Sequence, residues 1–195
     1  MNAGLDDISS LFGANIQKKL FDKRIIVLSE SIHSQSAKRV IEQLLSLEAE
    51  DEKADIWIFL NSPGGEVSSG FGIYDTIRFI RPKVKILVTG LAASIATIIL
   101  LGAEKQSRFS MPNSRILIHQ PLINGNIQGQ ASDIEIHANE ILKTREKIAH
   151  LYHKETGQHL ERVRRDIERD YWMTTEEALA YGLINRVVSS WKEVL

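Results

Sequence analysis

The unit of sequence that decides the fold is residues 86–103, which read ILVTGLAASIATIILLGA and contain no Asp, Glu, Lys or Arg. A run of this length is at the lower limit for a membrane-spanning helix. Gly90 and the small residues at 92–94 interrupt the run, however, and a membrane helix needs no such break. The pattern therefore favours a buried strand at 86–88, a tight turn at Gly90 and a buried helix that begins near Ser94.

Strand-like and helix-like segments alternate on both sides of this unit. Strands that are apolar on both faces, separated by helices, indicate a layered α/β fold whose strands are mostly parallel. The capping-box sequence at 174–177 opens one helix, which Gly182 closes. The predicted strands are 24–28, 56–60, 84–88, 115–118 and 183–188, and the other predicted helices are about 36–50, 67–80, 131–156 and 160–168.

Two of these helices carry apolar residues at helical spacing. The longer one ends at Gly157, a residue type that commonly closes helices. The segment 121–130, PLINGNIQGQ, fits neither pattern, and we expect it to project from the globule and lead into the long helix. The apolar positions are Val40, Ile41, Leu44, Leu45 and Leu47 in the 36–50 helix, and Ile134, Ile141, Leu142, Ile148 and Leu151 in the long helix.

Composition sets limits on the class of protein. The chain has 195 residues with 24 Lys+Arg against 25 Asp+Glu; this suggests one domain and no broad basic surface for nucleic acid. The absence of cysteine excludes a thiol nucleophile and fits a reducing compartment. Asp6 and Asp7 interrupt the start of the chain, so we expect no secretion signal. His150 and His153 are three residues apart without a further ligand, which favours surface residues over a metal site.

Two positions at strand ends are candidates for chemistry. The turn 61–65, NSPGG, follows a strand and precedes a helix, so its backbone N–H groups could hold an anion or an oxyanion; a plain tight turn is the competing interpretation. Ser94 lies at the start of a buried helix, whose N-terminus favours developing negative charge, and is a candidate nucleophile. An ordinary N-cap serine is the alternative there.

A candidate base and acid complete the set. His119 ends the apolar strand at 115–118, at the sheet edge where ligands gather in α/β folds, although a structural histidine fits the sequence equally well. Asp170 lies beside aromatic residues; it could be partly buried and orient a histidine, or it could be a loop acid paired with Arg169. With Ser94 and the glycine turn, these residues are what acyl transfer requires.

The chain resembles the proteolytic subunit of the Clp protease, an ATP-dependent serine peptidase, over about residues 24–188. The order and spacing of the matching motifs are specific, whereas NSPGG alone is shared by related folds. The motifs are NSPGG at 61–65, GLAAS at 90–94, PNSRILIHQP at 112–121, GQASDIEIH at 129–137 and RDYWM at 169–173.

The resemblance implies a layered ClpP/crotonase-like α/β fold of repeated strand–helix units, with a protruding strand-plus-long-helix handle at about 121–157. It implies a single peptidase domain at 24–195 that follows an N-terminal axial or gate segment at 1–23. The catalytic residues would be Ser94 as nucleophile, His119 as base and Asp170 as acid, and the backbone N–H groups of Gly65 and Ile95 would form the oxyanion hole. No metal or other cofactor is implied for this chain, since ATP is used by the partner.

The same resemblance implies an assembly and partners. Two stacked heptamers, homomeric or mixed with a paralogous subunit, would enclose the active sites in the bacterial cytoplasm, with no role for nucleic acid or membrane. Unfolded proteins would be delivered by a hexameric AAA+ unfoldase of the ClpX, ClpA or ClpC type. The unfoldase would dock on an apolar pocket at Trp57, Phe59 and Phe109, and ring–ring contacts would involve Glu168, Arg169 and Gln130.

Several departures from the family pattern keep other functions open. Ile95 and Ala96 stand where Met and Gly are usual, Leu91 replaces Gln, and residues 1–23 do not resemble the usual gate segment. These differences are typical of a divergent second paralogue, which could be a weakly active or inactive structural ring with a misaligned triad. A crotonase-type acyl-CoA enzyme would share the fold and explain Gly65, but it gives no reason for the three triad residues to occur together.

Overall fold

The computed structural model describes residue 13 and residues 15–122 and 129–194. The predicted gate segment and the predicted excursion at 121–130 therefore lie largely outside the described residues. Residues 15–22 are helical, and short 3-10 turns occur at Lys105–Ser107 and Trp191–Glu193. The other described elements are β1 Ile25–Leu28, α1 Ser34–Glu50, β2 Ile56–Ser62, α2 Val67–Phe79, β3 Val84–Ala93, α3 Ile95–Gly102, β4 Arg108–Ser110, β5 Arg115–Ile118, α4 Ala131–Thr156, α5 Leu160–Asp166, β6 Tyr171–Met173, α6 Thr175–Tyr181 and β7 Arg186–Val187.

The predicted α/β class is confirmed, with a sheet of mostly parallel strands. Strands β1, β2, β3, β4 and β7 are neighbours in that order, and all of these pairs are parallel. Strand β5 pairs parallel with the last residues of β3, and β6 pairs antiparallel with β5. The sequence did not predict β4 or β6; each is only three residues long, too short for a periodic pattern.

The predicted turn at Gly90 is wrong, because β3 continues through this residue to Ala93. The strand changes partners there, from β4 along Ile86–Val88 to β5 along Leu91–Ala93. Ser114 holds the transition, since its Oγ accepts the Gly90 N–H at 3.0 Å and donates to the Val88 carbonyl at 3.1 Å. The backbone groups that a turn would have paired internally are thus bonded by the side chain of Ser114, which directly precedes β5.

The helix that follows β3 is buried along its whole length. All eight residues of α3 are buried, and its six Ile, Leu and Ala side chains belong to the main core between the sheet and the helices. Removing a single Ile or Leu side chain from water contributes about 1.5–3 kcal/mol. The run at 86–103 therefore divides into a strand and a helix, and no helix within the described residues is both long and apolar enough to cross a membrane.

The long helix is confirmed over Ala131–Thr156, with Gly157 in the left-handed conformation (φ 79°) at its C-cap. Only its second half enters the core: Ile148, Ala149, Tyr152 and Thr156 are buried, whereas Ile134 and Leu142 are exposed. In α1, Val40, Leu44 and Leu47 are buried as expected, but Leu45 is exposed, so its predicted place on the apolar side is wrong.

A buried arginine ties the second half of α4 to the sheet. Arg108 of β4 is fully buried, donates to the carbonyls of Leu101 (3.2 Å) and Ala103 (2.8 Å), and forms an ion pair with Glu155. Its guanidinium also donates to the Glu155 carbonyl at 3.2 Å. Because a charge in the core is stable only when it is paired and hydrogen-bonded, this cluster fixes α3, β4 and α4 relative to one another.

Candidate active site

Three adjacent strands end at one place and carry the three candidate side chains. Strand β5 is in the middle, paired with β3 on one side and β6 on the other. Ser94 directly follows β3, and its N–H donates to the Leu117 carbonyl of β5 at 2.9 Å. His119 directly follows β5, and Asp170 directly precedes β6.

The pairing register explains why His119 and Asp170 meet. In the antiparallel pair β5–β6, Ile118 lies opposite Tyr171. One step further along each strand, His119 must therefore lie opposite Asp170, at the distance of a cross-strand pair. Gln120 closes this end, since its N–H donates to the Ile167 carbonyl at 2.6 Å and its Nε2 to the Glu168 carbonyl at 2.9 Å.

The three side chains form a continuous hydrogen-bonded line. His119 Nε2 lies 2.7 Å from Ser94 Oγ, and His119 Nδ1 lies 3.1 Å from Asp170 Oδ1. Both distances are within hydrogen-bond range. The His119 side chain is only 12% exposed, whereas that of Asp170 is 62% exposed, so the expectation of a partly buried carboxylate is wrong. The contact of Asp170 is with His119, which disfavours the alternative that Asp170 is a loop acid paired with Arg169.

Ser94 does not have the geometry of an ordinary N-cap serine. Its backbone lies at φ 57° and ψ −128°, and its side chain makes no capping hydrogen bond to α3. A positive φ is uncommon for residues other than glycine and costs on the order of 1–3 kcal/mol, so the surrounding structure must hold it. The strained backbone leaves the hydroxyl free of the helix and directed at His119 instead.

The glycine turn packs directly against the nucleophile candidate. Gly64 has φ 89°, and a Cβ built on it would lie 2.7 Å from Ser94 Cβ and 2.6 Å from the Ala93 carbonyl oxygen. Only glycine allows this approach without displacing Ser94. The Gly64 N–H donates to the buried Ser62 Oγ at 3.1 Å, which fixes the turn to the end of β2.

Gly65 presents its N–H on the side away from its bridge partner. Ile32 donates to the Gly64 carbonyl and accepts from the Glu66 N–H, both at 2.8 Å. In a parallel bridge of this kind, the residue between the two bonded groups directs its own N–H to the opposite side. Within the described residues, neither this N–H nor that of Ile95 has a hydrogen-bond acceptor, so both are available to an oxyanion.

A sequence model of the Clp protease family matches residues 10–191. The chain belongs to the Clp protease family. Its α/β fold with a parallel sheet agrees with that membership, and the family is one of peptidases. The expected resemblance to the proteolytic subunit is therefore confirmed at the level of family and fold.

The predicted docking pocket of this Clp protease family member is not open in the chain. Trp57 and Phe109 are only 8% and 4% exposed, and they pack with Leu87 and Val188 in a second, smaller core cluster. Trp191 of the C-terminal turn covers them, with ring centroids 5.0 Å from Trp57 and 6.0 Å from Phe59. The aromatic residues of β2 and β4 gain burial from this turn, and their role in docking a partner stays a prediction.

The predicted ring-contact residues of the Clp protease fold lie on the surface. Glu168 forms an ion pair with Arg145 at 2.7 Å, and Arg169 is exposed. Gln130 is exposed as well and is the N-cap residue of α4. Their role between rings stays a prediction.

The histidine pair of α4 also lies at the surface. His150 and His153 are exposed, and His153 Nδ1 lies 2.6 Å from the Gln158 carbonyl. Over residues 15–122 and 129–194, no group of three or more His, Asp or Glu side chains could hold a metal ion.

The sequence analysis did not predict the role of two residues that shape the site. Asn61 Oδ1 accepts the Leu91 N–H at 3.1 Å and its Nδ2 donates to Ser29 Oγ at 3.0 Å, and Ser114 bonds Gly90 from the other side. Together they satisfy the backbone where β3 bends toward Ser94. The polar residues of NSPGG and PNSRILIHQP carried this signal, because an Asn or Ser beside an apolar strand often bonds backbone.

The close approach of Gly64 to Ser94 gives a testable prediction. Gly64→Ala should slow both peptide hydrolysis and covalent labelling of Ser94 on the order of 10²-fold, because the added Cβ must displace the nucleophile or the turn. The positive φ should also cost about 1–2 kcal/mol. The measurement is the second-order rate of labelling by a fluorophosphonate, together with a melting curve.

Gly72→Ala is the matched control for that variant. Gly72 lies within α2, and a Cβ there would meet only Ile41 Cδ1 at 3.6 Å, an ordinary contact. The same substitution in a helix interior stabilises by about 0.5–1 kcal/mol and should leave labelling unchanged. Normal labelling of Gly64→Ala would contradict the tight packing of the turn against Ser94.

Proposed function

We propose that the chain is a serine endopeptidase (endopeptidase Clp), the proteolytic subunit of a self-compartmentalised, ATP-dependent Clp protease. The observation that carries this proposal is the hydrogen-bonded line Ser94–His119–Asp170 at the ends of three adjacent strands, with distances of 2.7 and 3.1 Å. A serine peptidase requires a nucleophile, a general base within reach of the nucleophile's proton, and a carboxylate that orients the base.

The mechanism follows from this geometry. Ser94 Oγ attacks the peptide carbonyl while His119 Nε2 accepts its proton, and the N–H groups of Gly65 and Ile95 stabilise the oxyanion that forms. Asp170 holds the Nδ1–H tautomer of His119 and stabilises the imidazolium. His119 then protonates the leaving amine, and a water molecule, deprotonated by the same imidazole, hydrolyses the acyl-enzyme.

Family membership also suggests an oligomer that works with Clp ATPases. We propose two stacked heptamers in the bacterial cytoplasm that degrade unfolded proteins, as part of protein quality control. The 22.0 kDa chain is too small to enclose a substrate chamber by itself, which favours such a barrel. A hexameric AAA+ unfoldase would hydrolyse ATP and bind over Trp57, Phe59 and Phe109, and Trp191 would then have to move or form part of the docking surface.

The triad geometry favours this function over the two alternatives. A structural paralogue was expected to have misaligned catalytic residues, and the distances around His119 argue against that. A crotonase-type enzyme would use the Gly65 and Ile95 N–H groups but would leave the contact between His119 and Asp170 without a role.

The test uses the wild-type full-length protein alone. We expect a fluorophosphonate to modify Ser94, identified by peptide mapping, and a short fluorogenic peptide to be hydrolysed. The native mass should be that of fourteen chains, and a folded substrate should be degraded only when a Clp unfoldase and ATP are added. Absence of both labelling and hydrolysis in a correctly assembled tetradecamer would favour the structural subunit, and turnover of an acyl-CoA thioester would favour the crotonase-type enzyme.

A further inference from the structure

The carbonyl group of Ser94 is held by a buried chain of hydroxyl groups. Its oxygen accepts from the Thr97 N–H at 3.0 Å and from Thr97 Oγ1 at 2.6 Å. Thr97 Oγ1 is in turn hydrogen-bonded to the hydroxyl of Tyr152 on α4. Thr97 is fully buried and Tyr152 is 1% exposed. The second half of the long helix is therefore connected to the backbone of the nucleophile without intervening water.

The direction of the hydrogen bonds follows from the number of protons. Each hydroxyl has one hydrogen, and a carbonyl can only accept. Thr97 must therefore donate its hydrogen to Ser94, which leaves Tyr152 as the donor to Thr97. Burial raises the pKa of Tyr152, so its phenol keeps the proton that it donates. Hydrogen bonds linked in one direction polarise and strengthen each other.

The Ser94 carbonyl belongs to the same peptide group as the Ile95 N–H. A trans peptide is planar, so its C=O and N–H point in opposite directions. Fixing the carbonyl oxygen on one side therefore fixes the direction of the N–H on the other. Hydrogen bonds to the oxygen also polarise the peptide group and make its N–H a better donor.

We infer that Thr97 and Tyr152 are positioning residues, which orient and polarise the Ile95 N–H for stabilisation of the oxyanion. This inference rests on the proposed serine peptidase function and adds to it a pair of residues that do not touch the substrate. The strained Ser94 backbone requires such support, since its φ of 57° persists only where neighbouring bonds hold it.

Tyr152 is a rigid starting point for this chain of bonds. Ile148 and Ala149 of the same helix are buried beside it, and Thr156 Oγ1 donates to its carbonyl at 2.6 Å. One turn later, the ion pair of Glu155 with Arg108 fixes the helix to β4. The hydroxyl of Tyr152 therefore cannot follow a shift of the Ser94 peptide without movement of packed elements.

A double variant separates positioning from a merely structural role. Thr97→Val alone leaves the buried Tyr152 hydroxyl without its partner, and Tyr152→Phe alone leaves Thr97 bonded to the Ser94 carbonyl but without its donor. The double variant replaces both side chains with apolar groups of similar shape and leaves no hydroxyl unpaired. If the two hydroxyls served only to pair with each other in the core, the double variant would recover both the melting temperature and the kcat of the wild type. Under the positioning role, melting temperature recovers and kcat does not.

For the double variant we expect kcat for a fluorogenic peptide, and the fluorophosphonate labelling rate, to be lower by about 10- to 100-fold, with KM nearly unchanged. Thr97→Ser keeps the hydroxyl and should retain most of the wild-type kcat. Thr175→Val is the control, because it removes another buried hydroxyl, which is bonded to the Pro112 carbonyl at 3.3 Å and has no bond to Ser94, Thr97 or Tyr152. This variant should leave kcat unchanged.

The outcomes are distinguishable. A double variant with wild-type kcat overturns the positioning role and leaves the proposed function intact. A low kcat in Thr97→Ser equal to that of the double variant also overturns it, since the hydroxyl would then be irrelevant. If the wild-type protein neither hydrolyses peptide nor labels at Ser94, the proposed function fails, and the positioning role fails with it.

Discussion

Replacing Ser94 with alanine should abolish covalent labelling by a fluorophosphonate or β-lactone probe and reduce peptide hydrolysis about 10⁴-fold or more. The reason is that Ser94 Oγ is the hydroxyl that faces His119 Nε2, at 2.7 Å. Loss of a nucleophile leaves only the contributions of substrate binding and the oxyanion hole. Labelling is measured on the intact protein by mass spectrometry, and hydrolysis with a fluorogenic peptide.

The Ser94→Ala variant should keep the fold and the assembly. Alanine retains the Cβ that packs against Gly64 and demands no new backbone conformation, because Ser94 already adopts φ 57° as an L residue. The Ser94 side chain makes no capping bond to α3 that alanine would lose. Native mass and melting temperature are therefore expected to match the wild type, which separates a catalytic defect from misfolding.

Ser46→Ala provides the matched control. Ser46 is exposed in α1, so the same change of side chain occurs away from the three strand ends. This variant should label and hydrolyse as the wild type does. Undiminished labelling of Ser94→Ala would place the reactive nucleophile elsewhere and remove the basis of the serine mechanism.

The order of strands and helices could be predicted because each long element repeats one local pattern. The length of α4 and its C-cap at Gly157 follow from helical spacing and one glycine, and α6 follows from the capping box at Thr174. Both signals depend on neighbouring residues alone. The catalytic candidates were also found from the sequence, since Ser94 begins a predicted buried helix, His119 follows a predicted apolar strand, and the surrounding motifs resemble those of the family.

The parts that could not be predicted depend on residues distant in the chain. Strand β4 begins with Arg108, which a local pattern assigns to a surface; only Glu155 and the carbonyls at the end of α3 make it a core residue. Gly90 looked like a turn because the side chain of Ser114, which replaces the turn hydrogen bonds, comes from a residue 24 positions later in the chain. The pairing of Asp170 with His119 likewise depends on the β5–β6 register, for which three residues of β6 give no local signal.

Replacing Asp170 with asparagine should lower kcat on the order of 10³- to 10⁴-fold while Ser94 remains chemically present. Asp170 Oδ1 accepts from His119 Nδ1 at 3.1 Å, which leaves Nε2 without a hydrogen and able to take the serine proton. An asparagine amide can instead donate to Nδ1, and the imidazole then carries its hydrogen on Nε2. In that tautomer His119 donates to Ser94 Oγ and cannot act as its base.

Because Asp170 is exposed, this variant also tests whether the β5–β6 pairing alone can hold His119 in place. At 62% exposure the carboxylate gains little from ion pairing by itself, so its effect must come from orientation of the buried imidazole. Asp55→Asn is the control. It weakens the 2.7 Å ion pair of Asp55 with Lys85, which lies at the ends of β2 and β3 opposite to the catalytic candidates, and this variant should keep full activity. The fluorophosphonate labelling rate should fall with kcat in Asp170→Asn at unchanged melting temperature. A near-wild-type rate would mean that the β5 register and the contact with Ser94 are enough to hold His119, and that the acid of this triad is dispensable.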